Sequence, residues 1–229
     1  MSERTICVIQ ARLGSARLPR KILADLHGKP LLAHVIERAQ AIIGVDKVVV
    51  AVTQEDWAEI VSAVGRSVTI QAVPCTEQDV LSRYLAVADA EQADVVVRVT
   101  GDCPLLDPTL GMLVVDLYKK LNNPYVIAVN DTNVSGYPDG TDVEVFSTKV
   151  LWVASVCTHD PFHREHVTTW LREEVPSYSI LAPRGTNLTG AKWSVDSVED
   201  LRVVRAIHSQ LEPKQWGWRD TARAWRRMT

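Results

Sequence analysis

Short runs rich in valine and isoleucine alternate with stretches of helical periodicity through the first 130 residues. The runs predict strands at 5–11, 47–53, 68–73, 94–100 and 125–129. The stretches between them predict helices at 31–43, 55–64, 79–90 and 108–121. Strands that are apolar along their whole length are typical of parallel sheets buried on both faces. The alternation therefore predicts an α/β fold, with a mostly parallel sheet and helices on both faces.

The pattern changes after about residue 130. Residues 130–140 are dense in turn formers, and 142–146 alternates polar with apolar side chains. Such alternation predicts a strand with one face exposed to water. Further patterns predict helices at 148–156, 164–174 and 197–211, and a short strand at 192–195. We expect one domain over 1–229, with a strand–helix insertion at about 130–185 and a tail rich in tryptophan and arginine at 214–229.

Composition narrows the class of protein. The 229 residues are 46% hydrophobic and 23% charged, with a formal net charge of -3. These values exclude wholesale disorder and argue against a general nucleic-acid binder, which usually carries a basic excess. The four cysteines lack C-x-x-C spacing, which argues against zinc and thioredoxin-like sites. With no signal peptide pattern and no long apolar run, we expect a cytoplasmic protein with neither membrane nor nucleic-acid partners.

A cluster of cations around a glycine follows the first predicted strand. Residues 10–21 are Q-A-R-L-G-S-A-R-L-P-R-K, which places Arg12, Arg17 and Lys21 near Gly14. Ligands of open α/β sheets bind at the carboxyl ends of the strands, and glycine lets the backbone approach them closely. The loop is thus a candidate polyphosphate cradle, although it matches neither the Walker nor the G-x-G-x-x-G pattern. A solvated basic loop is an equally open interpretation of these residues.

Two carboxylates stand at comparable positions. Asp102 comes just after the predicted strand 94–100, and Asp196 ends the predicted strand 192–195 directly before a helix. Carboxylates at that edge of a sheet can hold magnesium, which prefers oxygen ligands and shares them with phosphates. Taken singly, Asp102 is also explained as a turn residue, and Asp196 as part of the cap of the next helix, where Ser197 suffices.

The motifs become specific in combination. They occur in the order Q-A-R-x-G-S-x-R-L-P-x-K, G-K-P-L-L-x-H-V-I-E-R, E-x-D-V-L-x-R-Y, V-R-V-T-G-D-C-P-L-L-D-P, Y-P-D-G-x-D-V-E-V-F, R-E-H-V-T and W-S-V-D-S-x-E-D-L. This ordered set, over about residues 5–211, resembles the spore-coat polysaccharide SpsF-type cytidylyltransferases. More distantly, it is similar to the CMP-Kdo and CMP-acylneuraminate synthetases.

The resemblance implies a fold, a reaction and partners. The fold would be the Rossmann-like, GT-A-like nucleotidyltransferase sheet. The reaction would transfer CMP from CTP to a hydroxyl of a sugar acid or related sugar and release pyrophosphate. Mg²⁺ would be the cofactor, CTP and a small acceptor the substrates, and a homodimer the assembly.

The resemblance also implies roles for individual residues. The catalytic residues would be Arg12, Lys21, Asp102 and Asp196, of which Asp102 and Asp196 would bind the metal. The nucleotide would be bound by Ala11, Arg12, Gly14, Ser15, Arg17, Lys21, Asp79, Arg83, Thr100, Gly101 and Asp102. The acceptor would be bound by Tyr137, Asp139, Asp142, Glu144, Arg164 and His166.

Several alternatives stay open at the level of sequence. The enzyme could use another nucleotide, or an acceptor bearing a phosphate or phosphonate. A non-catalytic nucleotide-binding or interaction protein is a further possibility, against which the presence of Lys21, Asp102 and Asp196 argues. Arg164 and His166 could belong to a structural ion-pair network, and Asp142 with Glu144 to the wet face of an edge strand.

Overall fold

The computed structural model describes residues 3–130, 132–186, 188 and 190–228. The strands are β1 (Thr5–Gln10), β2 (Asp25–Leu26), β3 (Lys29–Pro30), β4 (Lys47–Thr53), β5 (Thr69–Val73), β6 (Val95–Thr100), β7 (Ile127–Val129), β8 (Glu144–Ser147) and β9 (Ser177–Ser179). The helices are α1 (Leu31–Ala39), α2 (Trp57–Val64), α3 (Val80–Ala90), α4 (Pro108–Leu121), α5 (Thr132–Ser135), α6 (Thr148–Cys157), α7 (Pro161–His166), α8 (Thr168–Glu174), α9 (Val198–His208) and α10 (Trp218–Arg226). A 3-10 turn spans Lys21–Leu23.

One mixed sheet organises the described part of the chain. Its seven strands lie in the order β5-β4-β1-β6-β8-β7-β9. Every neighbouring pair is parallel except the two that β8 makes, with β6 and with β7. Six strands therefore share one direction and β8 alone among them is reversed. This agrees with the predicted mostly parallel sheet, and β2 and β3 form a separate small hairpin.

Helices cover both faces of this sheet, as the continuous apolar strands predict. One buried apolar cluster joins alternate residues of β1, β4 and β6 to α1, α4 and α9. A second cluster joins the other residues of those strands to α3, α6 and α8. Burial on both sides explains why β4 and β6 are valine-rich rather than alternating. No described helix combines the length and apolarity needed to cross a bilayer.

Side-chain caps set where two of the helices begin. Asp107 accepts the backbone N–H groups of Thr109 and Leu110 ahead of Pro108, so α4 starts at its predicted residue. The Ser197 hydroxyl oxygen accepts the backbone N–H of Asp200, and the Asp200 carboxylate accepts the backbone N–H of Ser197. This capping box fixes the start of α9.

The prediction that the strand at 142–146 exposes one face to water is wrong. The strand β8 lies inside the sheet between β6 and β7, and all of its residues are buried. Glu144 has only 3% of its surface exposed, and two arginines on the same side neutralise it. Period-two alternation cannot distinguish such a buried ion-pair network from a solvated face.

Two other predictions after residue 140 also need correction. The predicted helix 164–174 is broken into α7 and α8 at Val167, whose φ of 60° leaves the helical region. The predicted strand 192–195 forms only an isolated bridge between Lys192 and Asp139 in the described structure.

The C-terminal tail packs on the domain. Trp218, at the start of α10, is 8% exposed and lies edge-on against Tyr137 with ring centroids 5.5 Å apart. Its backbone N–H donates to Asp107 Oδ2 at 2.8 Å. The tail therefore supports the loop that begins at Tyr137.

Gly140→Ala should destabilise that loop. Gly140 has a φ of 94°, and a Cβ there would overlap the backbone of Trp193 and Ser194. Positive φ alone costs a residue with a Cβ about 1–2 kcal/mol, and the overlap adds to it. Urea unfolding should show a larger loss than Gly28→Ala, where φ is 85° but no atom lies within 4 Å. Equal losses for the two variants would contradict this account of the close approach.

Candidate active site

The loops that follow β1 and β6 begin at the same edge of the sheet. Gln10 and Thr100, the last residues of β1 and β6, are paired in register. Gly101 donates its N–H to the Gln10 carbonyl at 3.0 Å, and a Cβ at Gly101 would lie 2.8 Å from that oxygen. Only glycine fits this approach without a shift, so the loops after β1 and β6 leave side by side.

Lys21 joins the two acids that the sequence singles out. Its ammonium lies 2.6 Å from Asp102 Oδ2 and 2.8 Å from Asp196 Oδ1. The residues are 81 and 175 positions apart in the chain. The N–H of Val195 donates to the Asp102 carbonyl at 2.9 Å, which ties the two acidic segments together through the backbone.

The charges at this point hold one another ionised. Burial lowers the pKa of Lys21, but Asp102 and then Asp196 outweigh it and raise the pKa above the ordinary value. Burial raises the pKa of Asp196, yet hydrogen bonds from Lys21 and Lys192 lower it to about 2. At neutral pH Lys21 is therefore an ammonium and Asp196 a carboxylate.

A cavity of about 290 Å³ surrounds this cluster. Among its lining residues are these predicted nucleotide or catalytic residues: Ala11, Arg12, Ser15, Arg17, Lys21, Arg83, Thr100, Gly101, Asp102 and Asp196. Arg17 reaches Asp196 Oδ1 at 3.1 Å, although its side chain is 68% exposed. The structure thus brings the basic loop and both acids into one pocket, which we call the Lys21 pocket.

The carboxylate of Glu77 lies against the basic loop at residues 10–21. Glu77, in the loop before α3, packs so closely on Gly14 that a Cβ there would overlap its side chain. Arg12 lies 3.6 Å from Glu77 and 3.2 Å from Glu165 of α7. Gly14 itself is not among the lining residues of the pocket, and Glu77 occupies the space beside it.

Two of the residues predicted to bind ligand, Asp79 and Arg164, pair with each other. Asp79 caps α3 and receives the guanidinium of Arg164 at 3.0 Å. Arg164 also donates to Ser82 and to the carbonyls of Ser155 and Thr158, so it ties α7 to α3 and α6. Neither side chain lines the Lys21 pocket or the cavity beside it. Arg83 does line the pocket, while its guanidinium holds the carbonyls of Thr76 and Glu77.

A second cavity of about 510 Å³ adjoins the Lys21 pocket and shares Gln10, Arg12, Thr100, Asp102 and Asp196 with it. We call it the adjoining cavity. Of the predicted acceptor residues, Asp139, Asp142, Glu144 and His166 line it. Tyr137 does not: it is 6% exposed and packs on Trp218. An acceptor contact by Tyr137 stays a prediction, and the structure places its ring in the core.

A buried network forms one wall of the adjoining cavity. Glu144 accepts from Arg98 Nη1 at 2.5 Å, from the Thr168 hydroxyl at 3.0 Å and from the guanidinium of Arg172. Burial raises the pKa of Glu144, but Arg98 and Arg172 outweigh it and lower the pKa below its ordinary value. Both arginines therefore contact the single carboxylate of Glu144 at this wall.

Sequence reasoning missed Arg98, Arg172 and Lys192. Arg98 carried a usable signal, because a charged residue inside the valine run of β6 needs a buried partner. Arg172 and Lys192 carried none, since their contacts depend on how α8 and the segment before α9 pack. Lys192 binds Asp196 Oδ2 at 2.9 Å and Asp200 Oδ2 at 2.7 Å.

The same architecture occurs in known proteins. A family model described as cytidylyltransferase matches residues 6–203 of this chain. A solved cytidylyltransferase from Leptospira borgpetersenii is 26% identical, with a TM-score of 0.87 over 99% of this chain and 95% of that one.

Two curated relatives match in sequence. The spore coat polysaccharide biosynthesis protein SpsF of Bacillus subtilis is 26% identical over 89% of this chain and 85% of that protein. The 3-deoxy-manno-octulosonate cytidylyltransferase of Anaeromyxobacter dehalogenans is 42% identical over 44% of this chain and 41% of that protein.

Glu144→Gln should destabilise the protein strongly. The change leaves Arg98 and Arg172 beside a neutral side chain, and Arg98 Nε is already buried without a hydrogen-bond partner among the described residues. Removing one member of a buried ion pair costs about 3–5 kcal/mol. Denaturant unfolding should show this loss, whereas Glu37→Gln, in an exposed pair with Lys29, should change stability by less than about 1 kcal/mol. A loss below that of the control would contradict the assigned network.

Proposed function

The chain belongs to the cytidylyltransferase family, and from this premise we propose that it transfers CMP from CTP to a hydroxyl of a sugar acid or related sugar, with release of pyrophosphate. The observation that carries the proposal is the Lys21 ammonium between Asp102 and Asp196, in a pocket that also holds Arg12 and Arg17. The octulosonate of one relative's name is a sugar acid, which supports that class of acceptor.

The residues present fit a divalent cation, which we propose is Mg²⁺. The supporting observation is that this position already holds a cation: the Lys21 ammonium lies within 2.8 Å of the carboxylates of Asp102 and Asp196. No group of three or more His, Cys, Asp or Glu side chains that could hold a metal ion occurs in the described ranges. Asp102 and Asp196 would thus supply the protein ligands, and the nucleotide's phosphates and water the others, as is usual for Mg²⁺. When bound, the ion would neutralise phosphate charge and polarise the α-phosphate.

The chain's own groups position and neutralise the reactants. The acceptor oxygen attacks the α-phosphorus, the bond from that phosphorus to the bridging oxygen breaks, and pyrophosphate leaves in line. Arg12, Arg17 and Lys21 line the pocket and would stabilise the charge that develops on the leaving group. Lys21 would exchange its carboxylate partners for phosphate oxygens as the nucleotide binds.

The adjoining cavity would hold the acceptor. Arg98 and Arg172 line it, and a guanidinium is the group that binds a carboxylate such as that of a sugar acid through two parallel hydrogen bonds. His166 lines the same cavity and would supply a ring nitrogen to accept the hydroxyl proton. Asp139 and Asp142 also line it and would accept hydrogen bonds from sugar hydroxyls.

The alternatives separate in one assay. Pyrophosphate release is measured with magnesium and each of the four nucleoside triphosphates, against sugar acids, neutral sugars, phosphosugars and phosphonates. Turnover with CTP and a sugar acid supports the proposal. Turnover only with another triphosphate or only with a phosphonate contradicts it, as does nucleotide binding without turnover. The homodimer and the cytoplasmic location stay predictions from the resemblance and the composition.

Asp102→Asn should abolish transfer in a folded protein. It removes one of the two charges around Lys21, on a side chain that is 25% exposed and contacts mainly Lys21. Loss of one charge-stabilising group in such a site costs about 10²–10³ in rate, and we expect at least that decrease in pyrophosphate release. Thermal unfolding establishes that the variant is folded.

The matched control for Asp102→Asn is Glu199→Gln, which removes a carboxylate that is 76% exposed on α9. It should keep the wild-type rate. Near wild-type pyrophosphate release by Asp102→Asn would overturn the role of that carboxylate.

Arg172→Met should weaken acceptor binding selectively. Arg98 still pairs with Glu144 in this variant, so the protein should stay folded while the cavity wall loses one guanidinium. We expect KM for the acceptor to rise about tenfold or more, with KM for CTP unchanged, because a hydrogen bond to a charged group contributes about 1.5–3 kcal/mol. Arg202→Met, at a position 73% exposed, is the control. A rise in KM for CTP, with KM for the acceptor unchanged, would contradict an acceptor-binding role for Arg172.

A further inference from the structure

Lys192 lies beside the Lys21 pocket, on Asp196, but is not among the residues that line it. We propose that Lys192 is a positioning residue: it holds one oxygen of Asp196 outside the pocket, so that the other oxygen faces the pocket. The inference rests on the proposed function in one respect, that Asp196 is a metal ligand. It adds a residue that acts on the reaction only through Asp196.

The two oxygens of Asp196 have different partners. Oδ1 faces the pocket, 2.8 Å from Lys21 and 3.1 Å from Arg17. Oδ2 receives Lys192 Nζ at 2.9 Å. The carboxylate plane is therefore fixed from both sides, and a cation that replaces the Lys21 ammonium meets one oxygen in a set direction.

Lys192 is itself held in place through Asp200. Its ammonium donates to Asp200 Oδ2 at 2.7 Å. The same oxygen accepts the backbone N–H groups of Asp196 and Ser197, each at 2.9 Å. Asp200 belongs to the capping box at the start of α9, so the lysine is anchored to a rigid helix end.

The backbone on which Lys192 stands is also fixed. Lys192 bridges to Asp139, and Trp193 donates its N–H to the Asp139 carbonyl at 2.8 Å. The Trp193 side chain is fully buried, and Val195 is tied to the Asp102 carbonyl at 2.9 Å. Both ends of the lysine side chain therefore have little freedom, as positioning requires.

Stability does not account for the contact. The Lys192 side chain is 36% exposed, and ion pairs of such exposure contribute about 0–1 kcal/mol. The capping box satisfies the first turn of α9 through Ser197 and Asp200 without the lysine. Loss of the ammonium should thus leave the fold intact and release the Asp196 carboxylate to rotate about its χ2 torsion. Partners that orient a ligand in this way typically contribute 10–100-fold in metal affinity or activity.

The test is Lys192→Met, which keeps the length of the side chain and removes the charge. Mn²⁺ serves as the probe, titrated by electron paramagnetic resonance in the presence of α,β-methylene-CTP, which cannot undergo transfer. We expect affinity for Mn²⁺ to fall about tenfold or more and kcat to fall with it, while the melting temperature stays near wild type. Lys192→Arg keeps a donor at the same place and should restore most of the affinity.

The control is Lys29→Met in the β2–β3 hairpin, which breaks an exposed pair with Glu37 at 2.5 Å, and neither of these residues lines the pocket. It should leave Mn²⁺ affinity unchanged. Wild-type Mn²⁺ affinity in Lys192→Met overturns the positioning role. Failure of rescue by Lys192→Arg, with both variants folded, also contradicts it.

Asp196→Asn separates this proposal from the proposed function. If Asp196→Asn loses Mn²⁺ binding and Lys192→Met does not, only the positioning role fails. If Asp196→Asn binds Mn²⁺ as the wild type does, the metal assignment of the proposed function fails, and the role of Lys192 fails with it.

Discussion

The pairing of β1 with β6 at the centre of the sheet is the constraint on which the site depends. It places Gln10 beside Thr100 and lets the Gly101 N–H reach the Gln10 carbonyl at 3.0 Å. From there the loop after β1 carries Lys21 and the loop after β6 carries Asp102. A backbone bond from Val195 to the Asp102 carbonyl then adds the third segment. Residues distant in the chain meet because parallel strands end at one edge, as in other open α/β sheets.

A second feature is that the charges of the site are paired within the protein itself. Lys21 lies between two acids, Arg12 lies between Glu77 and Glu165, and Glu144 lies between two arginines. Partly buried charges without partners would be costly, so this pairing stabilises the protein without ligand. Binding of a metal–triphosphate complex would therefore exchange partners rather than fill bare charges. The free energy of binding would be the difference between the ion pairs formed with the ligand and those broken within the protein.

Local patterns predicted the elements whose burial is uniform. The valine run predicts β4 at 47–53, which is buried almost throughout, and the structure has the same bounds. The amphipathic period behind Asp107 and Pro108 predicts α4 at 108–121, and these bounds also agree. The failures lie where a polar side chain is buried or the backbone is unusual. Glu144 alternates like a wet strand although it is buried, and nothing in the residues around Val167 indicates a φ of 60°. Likewise, the convergence of Lys21, Asp102 and Asp196 followed from strand ends and motifs, whereas Arg172 and Tyr137 depended on packing between α8, α10 and the sheet.

Asp200 shows why helix stability and site geometry are coupled here. One of its oxygens accepts two backbone N–H groups at the start of α9 and the ammonium of Lys192. The first pair of bonds determines where the helix begins, since unsatisfied N–H groups there are costly. The third bond sets the direction of the Asp196 carboxylate through Lys192. Because one carboxylate does both, a change at Asp200 would alter the start of α9 and the orientation of Asp196 together, so a sequence motif that caps the helix also constrains the pocket.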